Sequence, residues 1–522
     1  MSLIIAIPVF LWAASGFMHP LMTNVRPKMA TQFLVPKTVD PTKINVNLEQ
    51  ALEQQQITKF YNFRLVSIDT NWFYQVQTEY NSIPVYLSAK TGKILRNGDR
   101  LYAQYIAKLF LEGQGKDVSS KDAAEAKQQA AEQTASAMDC CDAATACVLG
   151  NEKGSLVDTV SLVTSFDKEY KYVNRYLPVY KVAFERTDGI RIYVHTMGDK
   201  FAYAVDNKRA IFDKIFALFH TWNFLDGVET LNILLKAGLL ILSFIAALMG
   251  IYIFFITKTK KANGNEVVKA RRNHRWTSII ASLFTLMFSF SGAFHALEKL
   301  NEDDKYKFHN DQVIQRNAIN LNVDSLSSVI KSPIKNISIV SINNELYWQV
   351  STKKDSKDKE KPADKPGKDL MKERKAAPPS NVYVKASDYS ILKDGEKEYA
   401  YYLASKFGSH TREEAKEIDL VTKFEGEYGF ANKLLPVWKV QYEQNNQERF
   451  YVETSSGLLA TRIDNVNMIE GYSFAFLHKH HFMDFAGKEA RDVSTMFWAA
   501  SQLAMIIVGL ILWRKSRKKQ QA

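Results

Sequence analysis

Four long apolar runs, residues 2–22, 231–256, 276–296 and 495–513, restrict what this 522-residue chain can become more than any other feature. Each has about 19–26 residues, enough to cross a hydrocarbon core of about 30 Å at about 1.5 Å rise per residue. Lys236 interrupts the second run near one end, where a long side chain can snorkel to the interface. Mean hydropathy over the whole chain is -0.22, so the apolar residues are concentrated in these runs. A many-spanning transporter is excluded. The first run has no charged start and no small-x-small cleavage site in Trp12-Ala13-Ala14-Ser15-Gly16, which argues against a removed signal peptide.

Charge placement gives an orientation. Residues 257–275 carry Lys258, Lys260, Lys261, Lys269, Arg271, Arg272 and Arg275 against Glu266, a net +6. The tail after Trp513 adds Arg514, Lys515, Arg517, Lys518 and Lys519, a net +5, leaving one of the formal +12 for the rest of the chain. A nucleic-acid binder would carry such residues on a folded surface. Here they flank apolar runs, as cytoplasmic loops do. Nucleic acid is therefore not expected as a partner; the lipid bilayer is. The 257–275 loop and both termini are expected in the cytoplasm. Residues 23–230 and 297–494 then lie on the far side, the periplasm if the inner membrane of a Gram-negative cell is the host.

The chain also repeats itself. Leu177-Pro178-Val179-Tyr180-Lys181-Val182 returns as Leu435-Pro436-Val437-Trp438-Lys439-Val440, and Phe216-Ala217-Leu218-Phe219-His220 as Phe474-Ala475-Phe476-Leu477-His478, both at an offset of 258. Ser15-Gly16-Phe17-Met18-His19 returns as Ser291-Gly292-Ala293-Phe294-His295 at 276, so the first run mirrors an internal span and is read as retained. Between these anchors the offset moves from 274 to 297 and back to 258. That marks an insertion in the second copy within residues 353–380, polar and without periodicity, and one in the first over residues 115–154. Each copy reads span, soluble domain, span, and the copies are parallel repeats about an axis along the membrane normal.

The soluble sequence reads α+β. A short amphipathic helix is expected over 46–56, with strands at 62–68, 73–78 and 85–87, then a turn at Ala89-Lys90-Thr91-Gly92-Lys93 into Ile94. The second copy has strands at 336–341, 346–352 and 381–385. The helix, two strands and strand-turn-strand unit of residues 85–95 resembles the repeat of PepSY domains, although Asp388-Tyr389 replaces Thr91-Gly92 in the second copy. The span ending Ser-Gly-x-x-His and the Phe-x-x-x-His element before the next span resemble the PepSY-associated transmembrane family. The resemblance covers nearly the whole chain outside the insertions. It implies an inner-membrane reductase carrying haem b and passing electrons to an extracytoplasmic acceptor such as a ferric chelate. A lone PepSY domain implies a different role, a non-enzymatic membrane-anchored module that regulates a peptidase or an envelope partner.

Histidines carry the chemistry that the first alternative needs. His19 and His295 end the outward-going spans, and His220 and His478 precede the inward-going ones, so all four are expected near the outer interface. Neutral imidazole ligates haem iron, and bundles build cofactor sites from side chains on facing helices. These four could supply two bis-histidine irons, or one iron plus structural histidines; interfacial histidines bonded to backbone or water are the non-redox reading. His274, at the start of the third span, is a candidate for a second haem, but its equivalent would precede Met1. His195 aligns with Glu453 and reads as a solvated strand position, and His480 and His481 read as solvent-facing or as a weak metal site. Cys140, Cys141 and Cys147 lie in the first insertion; Cys147 paired with either neighbour, or a thiolate site for a soft metal, are the two readings. No nucleotide-binding motif is present, so electrons would come from a quinol, a flavin or a partner protein.

Overall fold

The computed structural model is a mixed α+β protein with four helices long and apolar enough to cross a membrane. The structure describes residues 2–79, 82–113, 155–258, 260–301, 313–352, 376, 378–429 and 432–521. Cys140, Cys141, Cys147 and His309 lie outside the described residues. The chain forms two compact units, one of Met1–Arg26, Lys208–Asp304 and Ile463–Ala522, the other of Pro27–Asn207 and Lys305–Arg462.

In chain order the first half contributes α1 (Ser2–Asn24), α2 (Leu48–Gln54), β1 (Lys59–Phe60), β2 (Asn62–Ile68), β3 (Asn71–Gln77), β4 (Val85–Ser88) and α3 (Gly98–Glu112). It continues with β5 (Val157–Val163), β6 (Val179–Phe184), β7 (Arg191–His195), β8 (Lys200–Val205), α4 (Asn207–Phe216) and α5 (Glu229–Ile256). The second half contributes α6 (Glu266–Glu298), β9 (Ile314–Gln315), α7 (Val323–Ile330), β10 (Ile334–Ile342), β11 (Glu345–Thr352), β12 (Asn381–Lys385) and α8 (Gly395–Gly408). It ends with β13 (Ala415–Val421), β14 (Val437–Tyr442), β15 (Arg449–Glu453), β16 (Leu458–Ile463), α9 (Asn465–Ser473) and α10 (Gly487–Gln521).

The first unit is helical. α6 begins well before the apolar run at 276, because Asn265 caps it by accepting from the Val267 and Val268 amides at 3.1 and 3.2 Å. The stretch 257–275, expected as a loop, is a loop only as far as Asn265. Lys and Arg are good helix formers, so the hydropathy signal stops at 276 while the helix does not. α10 runs through the basic tail for the same reason.

The second unit is built on sheets. Strands β12-β11-β10-β2-β3-β4 form one six-stranded antiparallel sheet, whose central seam pairs β10 with β2 at Ser338 and Arg64. The two soluble stretches therefore share a sheet instead of folding separately. Alternation along the strands splits the apolar side chains between two faces. One face buries Phe63, Tyr74, Ile337 and Trp348 under Leu48 and Leu52 of α2 and Leu326 of α7. On the other, α3 packs Tyr102, Ile106 and Phe110 between the sheet and β5-β6-β7-β8. α8 packs Tyr399, Leu403 and Phe407 likewise under β13-β14-β15-β16.

Buried polar groups tie these layers together. Gln75 donates to the Tyr86 hydroxyl at 2.7 Å, which donates to Asp99 at 2.8 Å. Gln349 donates to the Tyr383 hydroxyl at 2.8 Å, and Glu396 accepts from Thr454 at 2.7 Å. Burial raises both carboxyl pKa values above the ordinary range, partly offset by these hydrogen bonds. His195 is not solvated as its alignment with Glu453 implies. It is 9% exposed and stacks on Tyr176 at 5.4 Å, and burial lowers its pKa to about 4.

Candidate functional site

The histidines of the helical unit are placed by two similar excursions of the backbone. α4 runs into a single π-helical turn, Ala217–Thr221, and α9 into another, Phe474–His478. Each is followed by a residue in the left-handed region, Trp222 at φ 56° and His480 at φ 55°, which reverses the chain into a short 3-10 turn. Such φ values are uncommon for bulky residues. The reversals direct His220 toward α1 and His478 toward α6.

Ser15 of α1 meets His220 Nδ1 at 3.0 Å, and Ser291 of α6 meets His478 Nδ1 at 3.2 Å. Each hydroxyl has one hydrogen, already directed to a carbonyl of its own helix: Ser15 to Trp12 at 2.9 Å, Ser291 to Met287 at 2.8 Å. While that hydrogen stays on the carbonyl, the serine accepts from the imidazole, which corresponds to the tautomer with the proton on Nδ1 and Nε2 bare.

The two rings lie next to each other, with centroids 6.1 Å apart and planes at 83°. Each is flanked by a phenylalanine one turn earlier: Phe216 stacks on His220 at 4.6 Å, and Phe474 on His478 at 4.7 Å. Beyond these lie His19, 5.4 Å from Phe216, and His295, 4.3 Å from Phe474. His19, Phe216, His220, His478, Phe474 and His295 thus form one row of six rings. Gly292 borders it; a Cβ there would lie 3.3 Å from Leu240 Cδ1 and 3.8 Å from His478 Cε1.

The four duplicated histidines are brought into one row, and the direct neighbours are His220 and His478, one from each half. Within a half, a phenylalanine comes between the two histidines in the row. The ends differ: His295 Nδ1 is held by Glu470 at 2.7 Å, while Phe212 occupies the position aligned with Glu470. His274 is not part of this row. It lies on α6 against α10, where a Cβ on Gly509 would come within 3.2 Å of its Cε1. Among the described residues, no three His, Cys, Asp or Glu side chains are arranged to hold a bare metal ion.

His480, read from sequence as solvent-facing, is fully buried. It stacks on Phe288 at 5.4 Å and meets Ser494 through Nδ1 at 3.1 Å, while its Nε2 has no partner. The offsets carry the reason. His480 aligns with Trp222 and Phe288 with Trp12, and Trp12 and Trp222 stack at 5.1 Å. His480 takes the place of an indole in a packed pair. His481, its neighbour, pairs with Asp484 at 2.8 Å. The serine partners are also visible in the repeated Ser-Gly-x-x-His pattern, where the helical spacing draws attention to the histidine of the same span. The hydroxyl serves the histidine of the other segment instead. No protein-family model matches the sequence, and no curated protein matches it.

Proposed function

We propose that this chain is a duplicated membrane oxidoreductase of the PepSY-associated transmembrane type that passes electrons to an extracytoplasmic acceptor, a ferric chelate being the acceptor class. The reading rests on one observation: His220 and His478 adjoin across the two halves, each with its Nδ1 at a serine hydroxyl. With metal–nitrogen bonds of about 2.0–2.1 Å, two imidazoles sharing one ion have ring centres about 6 Å apart. The ring centres of His220 and His478 lie 6.1 Å apart, a proximity that supports the reading. Haem b suits such a pair, because haem iron asks the protein for only one or two axial ligands.

In this reading His220 and His478 would hold the haem iron, and Ser15 and Ser291 would hold their tautomer and orientation. Haem b would supply a one-electron carrier at this position. His295, oriented by Glu470, and His19 flank the pair and set the polarity around it. Orientation follows the basic loops, with both termini in the cytoplasm and the sheet unit in the periplasm. The electron donor is a quinol, a flavin or a partner protein.

A visible spectrum of the purified protein tests this. A Soret band that shifts on reduction with dithionite is expected, and His220→Ala or His478→Ala should each remove most of it, while His274→Ala should not. A colourless protein after expression with added haem precursor would overturn the reading and leave a membrane-anchored binding module.

A further inference from the structure

Basic residues from two different helices meet at the far end of the helical unit, which charge counting alone does not give. Lys515 Nζ pairs with Glu266 at 2.5 Å, which sets the end of α10 beside the start of α6. This occupies the one carboxylate of that region. Arg275 is also occupied: it donates to the carbonyls of Phe254 and Thr257, both at 2.5 Å, and lies over the Phe254 ring. Lys269, Arg271 and Arg272 on α6, with Arg514, Arg517 and Lys518 on α10, are all exposed. None of the six forms an ion pair with a carboxylate among the described residues.

Depth points to the ligand. Trp276 and Trp513 are 52% and 40% exposed at the ends of the apolar parts of α6 and α10, where tryptophans mark the edge of the hydrocarbon. Arg272 and Arg517 lie one turn beyond them, about 6 Å along the helix axis. The headgroup layer is about 5–8 Å thick on each side of the core. Arg272 therefore stands at the depth of lipid phosphates, while the Arg517 guanidinium lies over the Trp513 ring at 4.8 Å; arginine matches phosphate oxygens with paired N–H donors. Two helix ends joined by an ion pair bring cations of both helices close together.

We propose that the adjoining basic ends of α6 and α10 together bind an anionic phospholipid headgroup. The site does not depend on haem, so it stands or falls apart from the redox reading. Each cation at this depth contributes about 1 kcal/mol, or roughly fivefold in affinity. Native mass spectrometry of the full chain, purified from detergent and offered phosphatidylglycerol or phosphatidylcholine, measures it.

Phosphatidylglycerol should be retained in preference. R271Q/R272Q and R514Q/K518Q should each weaken it by about 25-fold. Glu266→Gln keeps every cation, so it leaves membrane orientation undisturbed; it frees Lys515 and should tighten binding by a few-fold. Equal retention of the two lipids overturns the proposal, as does an unchanged affinity in E266Q together with both double variants. Displacement of the lipid by millimolar inorganic phosphate would also overturn it, by showing a site for free anions.

Discussion

Ser15 and Ser291 each have a helix carbonyl within reach of their only hydroxyl hydrogen, which favours the neighbouring histidine as a donor through Nδ1. A partner hydroxyl that could donate as well as accept would leave the tautomer open. With that hydrogen on the helix carbonyl, the serine favours the tautomer with Nε2 bare, the form in which an imidazole binds metal without a proton being moved. Ser15→Ala and Ser291→Ala remove the acceptor and the orientation while leaving both imidazoles present. Loss of such a supporting contact typically costs 10–100-fold in metal affinity. At limiting haem supply, each variant should therefore show a clearly lower haem-to-protein ratio than wild type, and Ser→Thr, which keeps the hydroxyl, should recover it. Unchanged ratios in both alanine variants would mean that the serines merely fill space.

At the level of elements, strands rich in β-branched and aromatic residues between turn signals are legible in the amino-acid sequence: β2 and β12 lie at 62–68 and 381–385, as expected. The signal is strong because both faces of these strands are packed: Phe63 and Leu65 of β2 lie on one side, Val66 and Ile68 on the other. The start of α6 is not legible, since its first turns have no apolar face and form on capping and propensity. Nor is the seam between β2 and β10, which depends on a pairing between Arg64 and Ser338 far apart in the chain. The site is half legible. The repeat singles out the four histidines, but not that the pair in contact crosses between halves. His480 escapes a reading from sequence because a histidine in a polar-looking cluster gives no sign that it replaces a buried tryptophan.

The contact between the two four-stranded sheets carries a prediction of its own. Lys433 donates to Asn174 Oδ1 at 3.0 Å and to the Ala202 carbonyl at 2.9 Å, so its ammonium meets neutral acceptors. Burial, and Arg175 beside it, lower its pKa to about 7 from the ordinary 10.5. From about pH 7 up to 10.5 the unfolded chain binds the proton that the folded chain has released. Wild-type stability relative to Lys433→Met should therefore rise with pH across that window and be level below it. Thermal melts of the full chain and of K433M between pH 6 and pH 10 check this. A difference that stays constant from pH 7 to pH 10 would show that Lys433 titrates alike in both states.

For the molecule as a whole, both units are completed only by the two halves together. The six-stranded sheet has β2 from one half at its centre and β10 from the other, and the adjoining imidazoles come one from each half. Either half alone would expose the backbone of an inner strand as a new sheet edge, with unpaired N–H and C=O groups. It would also leave a lone histidine where a pair is needed. A cut in the 257–265 loop falls outside every helix and strand and leaves each half with two spans. Produced separately, the halves should aggregate or be degraded and show no Soret band. Produced together, with an affinity tag on one, they should co-purify in equal amounts and bind haem as the intact chain does. A half that was soluble in detergent and bound haem alone would place both ligands within one repeat, on histidines separated here by a phenylalanine ring, and the cross-half pairing of His220 with His478 would have to be abandoned.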